Sequence, residues 1–179
     1  MLCSFQKEES VLVDELLRAD PKARIVTIDT GVLFAETLAT WKAFEERFGV
    51  KIEVQDATRA DGPWTGPDDC CSAAKVAGLE RALEGAEGWI TGIRREQGPT
   101  RADTPEVEFD ERRGLWKYSP LAAWTDKDLW QRIHERDLPY NALHDQGYES
   151  IGCAPCTNPG SGREGRWAGS AKTECGLHV

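Results

Sequence analysis

The residues best suited to chemistry in this chain are its six cysteines. Cys70 and Cys71 are adjacent, Cys153-Ala154-Pro155-Cys156 forms a second pair, and Cys175 stands alone near the chain end in Glu174-Cys175-Gly176-Leu177-His178. Two pairs of soft thiolates converging on a small volume are what an iron–sulfur cluster or a tetrahedral zinc requires. Adjacent Cys70-Cys71 departs from the usual two-to-four-residue spacing of zinc ligands, so the pattern favours a cluster over zinc and leaves zinc as the alternative. Three disulfides are the third reading, weakened by a low cysteine fraction and the lack of an apolar signal segment. Cys175 is then left over as a reactive thiol, with Lys172 and His178 near it in sequence to favour the thiolate. Cys3 has no partner at any such spacing and reads as a small buried apolar residue.

The elements that must position these groups follow from the apolar periodicity. Val11, Leu12, Leu16 and Leu17 suit a helix face, and Ile25 to Ile28 is a short β-branched run. Leu38, Trp41, Phe44 and Phe48 form a second helical stripe that Gly49 stops, and Val50, Ile52 and Val54 alternate as a strand. Val76, Leu79 and Leu83 mark a third helix, followed by a strand at Trp89-Ile90-Thr91. Alternation of this kind implies an α/β chain around a mainly parallel sheet. Val107 to Phe109 and Leu115 to Tyr118 read as an added hairpin, and Thr125 with Asp128 as the cap of a helix that buries Leu129, Trp130 and Ile133. Beyond Asp137 the chain is rich in Pro, Gly and Cys, which predicts loops and short turns.

At 179 residues the chain is expected to be one domain. The formal net charge of −9 argues against a nucleic-acid backbone as ligand. No run approaches the eighteen apolar residues of a membrane span, so the expectation is a cytoplasmic protein without a membrane partner. In sheets of this type ligands sit outside the carboxyl ends of the strands. The candidate loops there are Cys3-Ser4-Phe5-Gln6-Lys7-Glu8-Glu9-Ser10, Asp29-Thr30-Gly31, which reads equally as an ordinary turn, and Gly92-Ile93-Arg94-Arg95. The first of these precedes a helix whose N–H groups suit an anion, with a plain cap by Ser4 as the competing reading.

Ser4-Phe5-Gln6-Lys7-Glu8, Ile28-Asp29-Thr30-Gly31, Cys70-Cys71, Thr91-Gly92-Ile93-Arg94-Arg95-Glu96-Gln97, Leu138-Pro139-Tyr140-Asn141, Ile151-Gly152-Cys153-Ala154-Pro155-Cys156-Thr157 and Glu174-Cys175-Gly176-Leu177-His178 together resemble the assimilatory adenylyl-sulfate (APS) reductases, in order from residue 3 to residue 178. The resemblance implies an adenine-nucleotide α-hydrolase-like (Rossmann-like) fold over 1–179, with an α/β nucleotide-binding core over about 1–137 and a cluster loop plus mobile C-terminal catalytic segment over about 138–179. It implies a [4Fe-4S] cluster on Cys70, Cys71, Cys153 and Cys156, and it makes Cys175 the nucleophile. It further implies that Lys75, Arg163, Arg166 and His178 bind the phosphosulfate, with Ser4, Asp29, Thr30, Gly31 and Arg94 as further substrate contacts. Arg95 and Arg101 join Arg94 as candidate contacts, and Glu174 reads as a surface carboxylate.

The implied activity is reduction of APS to sulfite and AMP through a cysteine S-sulfonate. Thioredoxin is the implied electron donor, in sulfate assimilation and cysteine biosynthesis. The alternatives are PAPS reduction, or an inactive metal-stapled nucleotide-binding or redox-sensing module. A homo-oligomer is compatible with the resemblance. Two departures stand out. The family has further helices and a strand ahead of the Ser-Phe loop, so an N-terminal part is expected to be missing and the sheet to expose an edge. Ala74 also occupies a position where related chains carry arginine.

Overall fold

The architecture comes from a computed structural model that describes residues 1–58, 73–170, 172, 174 and 177. Helix α1 (Lys7–Ala19), strand β1 (Val26–Asp29), α2 (Ala35–Phe48), β2 (Glu53–Asp56), α3 (Ala73–Leu83), β3 (Gly88–Ile90), β4 (Val107–Asp110), β5 (Leu115–Tyr118) and α4 (Asp126–Glu135) follow in that order. Beyond α4, the described regular structure consists of 3₁₀ turns at Ala142–Gln146 and Ala154–Cys156. The alternation expected from periodicity is therefore present, and the C-terminal part is built from turns.

β1 and β2 pair in parallel, β3 and β5 pair in parallel, and β4 adds antiparallel to β5. The first residues join the two sets. Leu2 bridges Val26 in parallel, the Cys3 N–H donates to the Val26 carbonyl at 2.8 Å, and the Leu2 N–H donates to the Ile90 carbonyl at 3.0 Å. The resulting array runs β2, β1, Leu2, β3, β5, β4. Extended backbone at Met1–Cys3 thus fills the position between β1 and β3, and β2 and β4 are the end strands among the described residues.

Three apolar clusters hold the layers. Cys3, Phe5, Val13, Ile25, Phe44 and Ile52 pack under α1 and α2. Val11, Leu12, Leu121, Leu129, Ile133 and Leu138 join α1 to α4. Ile28, Leu79, Leu83, Trp89, Leu115, Cys153, Cys156, Trp167 and Leu177 lie where the C-terminal turns meet β1 and α3. Cys3 is a buried apolar residue, as its spacing implies. Two positions depart from the periodic reading. Leu38 and Val54 are 47% and 44% exposed, because α2 and β2 each have one face that no described element covers.

The turns are specified locally. Gly49 ends α2 at φ 65°, a left-handed conformation in which a side chain would be strained. The Thr125 hydroxyl accepts from the Asp128 N–H, and the Asp128 carboxylate accepts from the Thr125 N–H at 2.9 Å, completing the expected capping box of α4. A buried ionic network ties α1 to α4. Arg94 donates to Glu8 at 3.0 Å and to Asp126 at 2.6 Å, and Lys7 lies 2.7 Å from Asp126. Burial opposes ionisation of Asp126, but Lys7 and Arg94 outweigh it and hold the carboxyl below its usual range.

Candidate active site

Because the parallel strands point one way, the segments leaving Cys3, β1 and β3 emerge together, and a cleft opens at their carboxyl ends. The cavity within it measures about 110 Å³. Ser4, Phe5, Gln6 and Glu9 line it from the first segment, Ile28 and Leu33 from around β1, and Thr91, Gly92 and Ile93 from the end of β3. Lys75 enters from the first turn of α3, Arg101 from the 3₁₀ turn Pro99–Arg101, and Cys153, Arg163, Arg166 and Leu177 from the C-terminal turns.

The loop from Ser4 into α1 carries no glycine, and Phe5 takes the left-handed conformation that glycine would normally supply, at φ 60°. Its buried ring stacks on Trp41 at 5.4 Å and meets Phe44 edge-on at 5.6 Å, which fixes the turn. Trp167, beside Arg166, is a second left-handed residue at φ 54°. Phe5 lines the cleft and Trp167 adjoins Arg166, whereas the third non-glycine residue in this conformation, Asp137 at φ 46°, follows α4 and is not among the cleft residues.

Ser4 is not the helix cap. The N-cap is Gln6, whose N–H donates to Glu9 Oε2 at 3.0 Å, while the Ser4 hydroxyl donates to the same oxygen at 3.0 Å. The Lys7 N–H donates to His144 Nε2 at 3.1 Å. With these N–H groups engaged and Glu8 and Glu9 buried in the first turn, this helix end is already supplied with acceptors. The positive charge of the cleft comes instead from Lys75, Arg101, Arg163 and Arg166. Burial, reinforced by the charge of Glu8, pushes the Glu9 carboxyl up to about 8, so it is protonated at neutral pH.

The Cys153–Cys156 turn is held from both sides. The Ala154 N–H donates to the Val32 carbonyl at 2.9 Å, and Thr30 Oγ1 lies 3.2 Å from Cys153 Sγ. Thr157 bridges Arg166, and the Trp167 N–H donates to the Cys156 carbonyl at 2.9 Å, so the arginine turn is stitched directly to the cysteine turn. The buried guanidinium of Arg166 donates from Nη1 to the Ile151 carbonyl at 3.3 Å and lies 4.5 Å from the Trp167 ring centroid. Among the described residues Arg166 pairs with no carboxylate, and its buried Nε has no hydrogen-bond acceptor. A guanidinium held without an anion at the wall of a cleft is suited to receive one.

Lys75, Arg163, Arg166 and Ser4 thus meet around one cleft with Cys153. Thr30 is buried behind the cleft against Cys153. Asp29 turns its carboxylate onto the Gly31 N–H at 2.8 Å and shapes the loop after β1. Arg94 is the clear departure from its expected place. Its guanidinium is committed to Glu8, Asp126, Glu96 and the Trp124 carbonyl, away from the cleft walls. Arg95 donates to the Thr104 carbonyl at 3.0 Å, also outside the cleft. Arg101 does line the cleft and grips Glu174, whose side chain is 17% exposed rather than free at the surface. Gln97, inside the motif that begins at Thr91, and Glu9, in the loop that begins at Cys3, also line the cleft, with no role read for either from the sequence. Their only advance signal was position, in or beside the loops at the strand ends. Cys70, Cys71, Cys175 and His178 lie outside the described residues.

Cys153 and Cys156 are the described donors suited to a soft metal, being two buried thiols on one short turn in an apolar setting. Among the described residues no group of three or more His, Cys, Asp or Glu is arranged to hold a metal ion, and no helix is long and apolar enough to cross a membrane.

Comparison with known proteins agrees with this architecture. Residues 1–159 match the phosphoadenosine phosphosulfate reductase domain. An adenosine 5′-phosphosulfate reductase of Bacillus pumilus is 45% identical over 98% of this chain and 82% of its own length. Those of Rhodococcus opacus and Bacillus subtilis are each 44% identical, covering 96% and 98% of this chain and 75% and 82% of their own lengths. In structure, the phosphoadenylyl-sulfate reductase of Candida auris superposes with a TM-score of 0.73 at 24% identity, over 86% of this chain and 80% of that one. The FMN adenylyltransferase of Candida glabrata does so at 0.66 and 16% identity, over 89% and 55%. The fold is therefore the adenine-nucleotide α-hydrolase-like α/β arrangement. On the match over residues 1–159 and the identity to these reductases, the chain belongs to the phosphoadenosine phosphosulfate reductase domain family, alongside its adenosine 5′-phosphosulfate reductases.

Proposed function

We propose that the chain reduces adenylyl sulfate to sulfite and AMP in sulfate assimilation, with Cys175 as nucleophile and thioredoxin as electron donor. The observation that carries this reading is the cleft itself. Lys75, Arg163 and Arg166 gather at the carboxyl ends of the strands in a chain of net charge −9, beside the Cys153–Cys156 turn. Positive side chains concentrated in one place of an acidic chain match a small polyanion.

The reaction balances as two thiol displacements. The Cys175 thiolate attacks the sulfur of the bound sulfate group, a sulfur–sulfur bond forms, the sulfur–oxygen bond to the phosphate breaks, and AMP leaves. A thioredoxin thiolate then attacks the Cys175 sulfur and expels sulfite, and the second thioredoxin thiol resolves the mixed disulfide. Two electrons from the dithiol take sulfur from the sulfate to the sulfite oxidation state. Arg163 and Arg166 hold the phosphosulfate and balance the charge that builds on the departing phosphate. Lys75, one helical turn beyond Cys71 in sequence, offers a further point charge. The protonated Glu9 adds no negative charge to the cleft wall at neutral pH.

Cys153 and Cys156, with Cys70 and Cys71, are proposed to hold a [4Fe-4S] cluster. When bound, such a cluster supplies electrostatic tuning beside the sulfate rather than electrons, since thioredoxin provides both. The buried pair on one turn supports this assignment.

The names of the relatives at 44–45% identity favour APS over its 3′-phosphorylated analogue. The test is sulfite release by anaerobically purified protein with thioredoxin and each substrate in turn. Turnover of APS in clear preference is expected. Turnover of PAPS alone would assign the other substrate, and AMP binding without turnover of either would leave a nucleotide-binding module.

A further inference from the structure

Three consecutive residues of the loop that enters α1 are each held by one later segment, 141–151, which carries no step of the sulfur chemistry above. Phe5, in its left-handed conformation, offers its carbonyl to the buried Asn141 side-chain amide at 3.4 Å. Gln6 Oε1 accepts from the Ile151 N–H at 2.7 Å, and the Lys7 N–H donates to His144 Nε2 at 3.1 Å. Lys7 is the first residue of α1, so its N–H has no acceptor within the helix. Asn141 is fixed in turn, donating from Nδ2 to Thr37 Oγ1 at 3.0 Å and accepting at Oδ1 from the Leu143 N–H at 3.1 Å.

The second ring nitrogen assigns the form of His144. Nδ1 lies 2.7 Å from the Tyr148 carbonyl, which only accepts, so Nδ1 carries the proton and Nε2 is the bare acceptor that the Lys7 N–H requires. Burial favours the neutral ring and pushes its pKa below the ordinary value. Bonds at both nitrogens fix one tautomer and one ring orientation, and the Trp130 ring packs edge-on against it at 5.8 Å. The same segment then runs straight into the anion site. Ile151, which holds Gln6 through its N–H, accepts Arg166 Nη1 through its carbonyl at 3.3 Å. Gly152 follows, and a side chain there would collide with the Arg166 guanidinium. Arg166 is thus seated on the backbone that the loop at Gln6 clamps.

We propose that His144 is a positioning residue for the anion site: by accepting the first N–H of α1 it holds the Ser4–Gln6 loop against Ile151, and Ile151 in turn seats Arg166. The inference rests on the reading of Arg166 as a phosphosulfate contact. An imidazole suits this role because one ring offers an acceptor to α1 and a donor to Tyr148 at once, tying the helix start to the turn that leads to Cys153. Loss of the acceptor leaves the Lys7 N–H unpaired and frees the loop on which the clamp at Ile151 depends.

The test compares His144→Gln, whose amide oxygen can stand in for Nε2, with His144→Leu, which fills space without an acceptor. In His144→Leu the KM for APS and the dissociation constant of AMP should rise about tenfold, with kcat within about twofold of wild type. His144→Gln should recover most of that loss, to within about threefold of wild type. Nitrogen-15 shifts of the His144 ring, assigned by their disappearance in His144→Gln, should report a protonated Nδ1 and a bare Nε2. Should His144→Leu fail to fold, His144→Asn, whose oxygen falls short of the Nε2 position, takes its place. Equal losses in the Gln and Leu variants overturn the positioning role, as does a Leu variant that melts earlier but binds AMP normally when folded. A ring protonated on Nε2 overturns the contact itself. Wild-type protein that binds neither APS nor AMP would instead sink the phosphosulfate reading, while the ring nitrogens still decide whether His144 accepts from α1.

Discussion

Thr30 Oγ1 lies 3.2 Å from Cys153 Sγ, joining the loop after β1 to the cysteine turn across 123 positions of sequence. This contact brings the carboxyl end of β1 and the proposed cluster turn together at one cleft.

Substitution of either cysteine of the turn is expected to cost the metal. Cys153→Ser and Cys156→Ser should each lose most of the iron and the visible absorption of anaerobically purified protein, since a serine oxygen is a poor ligand for iron–sulfur clusters. Cys3→Ser should retain both, because Cys3 packs in a separate apolar cluster with Phe5 and Phe44. Iron and acid-labile sulfide assays check this, and full iron retention in Cys156→Ser would refute the ligand assignment.

Two arginines from the recognised motifs are expected to part company. Arg166→Ala should raise KM for APS roughly tenfold to a hundredfold, the worth of charge-assisted hydrogen bonds, with little loss of thermal stability. Arg94→Ala should instead destabilise the fold by about 3–5 kcal/mol, because it strands the buried Glu8 carboxylate and removes a partner of Asp126. Denaturant unfolding and steady-state kinetics on the folded fraction separate the two effects. A stable Arg94→Ala with weakened substrate binding would return Arg94 to the site.

Much of this arrangement was legible in the residues. Helical stripes and β-branched runs located the elements because burial on one face imposes period 3.6 or 2, and the capping box of α4 was visible as Thr125 and Asp128. What periodicity could not show was the role of Leu2. A single extended residue completing the array between β1 and β3 has no period to detect, and its pairing depends on strands 24 and 88 residues away. Arg94 was misplaced for a similar reason. An arginine at a strand end faces either ligand or buried carboxylate, and only the packing of α1 against α4 puts Glu8 and Asp126 around it. Glu174 passed for a surface carboxylate because its partners Arg101 and Arg163 come from turns that carry no regular pattern.

The protonated Glu9 predicts an unusual pH dependence. Its folded value of about 8 lies above the ordinary 4.5, so between these two values the unfolded chain has released a proton that the folded chain still holds. Stability from this group is complete below about 4.5 and declines as pH rises toward 8, opposite to a salt-bridged carboxylate. Glu9→Gln removes the titrating group. The variant should therefore gain stability relative to the parent as pH is raised from 5 to 8. Melting temperatures of both proteins across that range check the sign, and a constant difference would show that Glu9 titrates normally.

The central claim concerns a covalent bond to one sulfur atom. Protein mixed with APS in the absence of thioredoxin, digested under non-reducing conditions and weighed, should carry one added SO₃ group on the peptide containing Cys175. Reduced thioredoxin should remove it with release of one sulfite, and Cys175→Ser should never acquire it. An unmodified Cys175 peptide, from protein shown to have bound the nucleotide, would contradict the account.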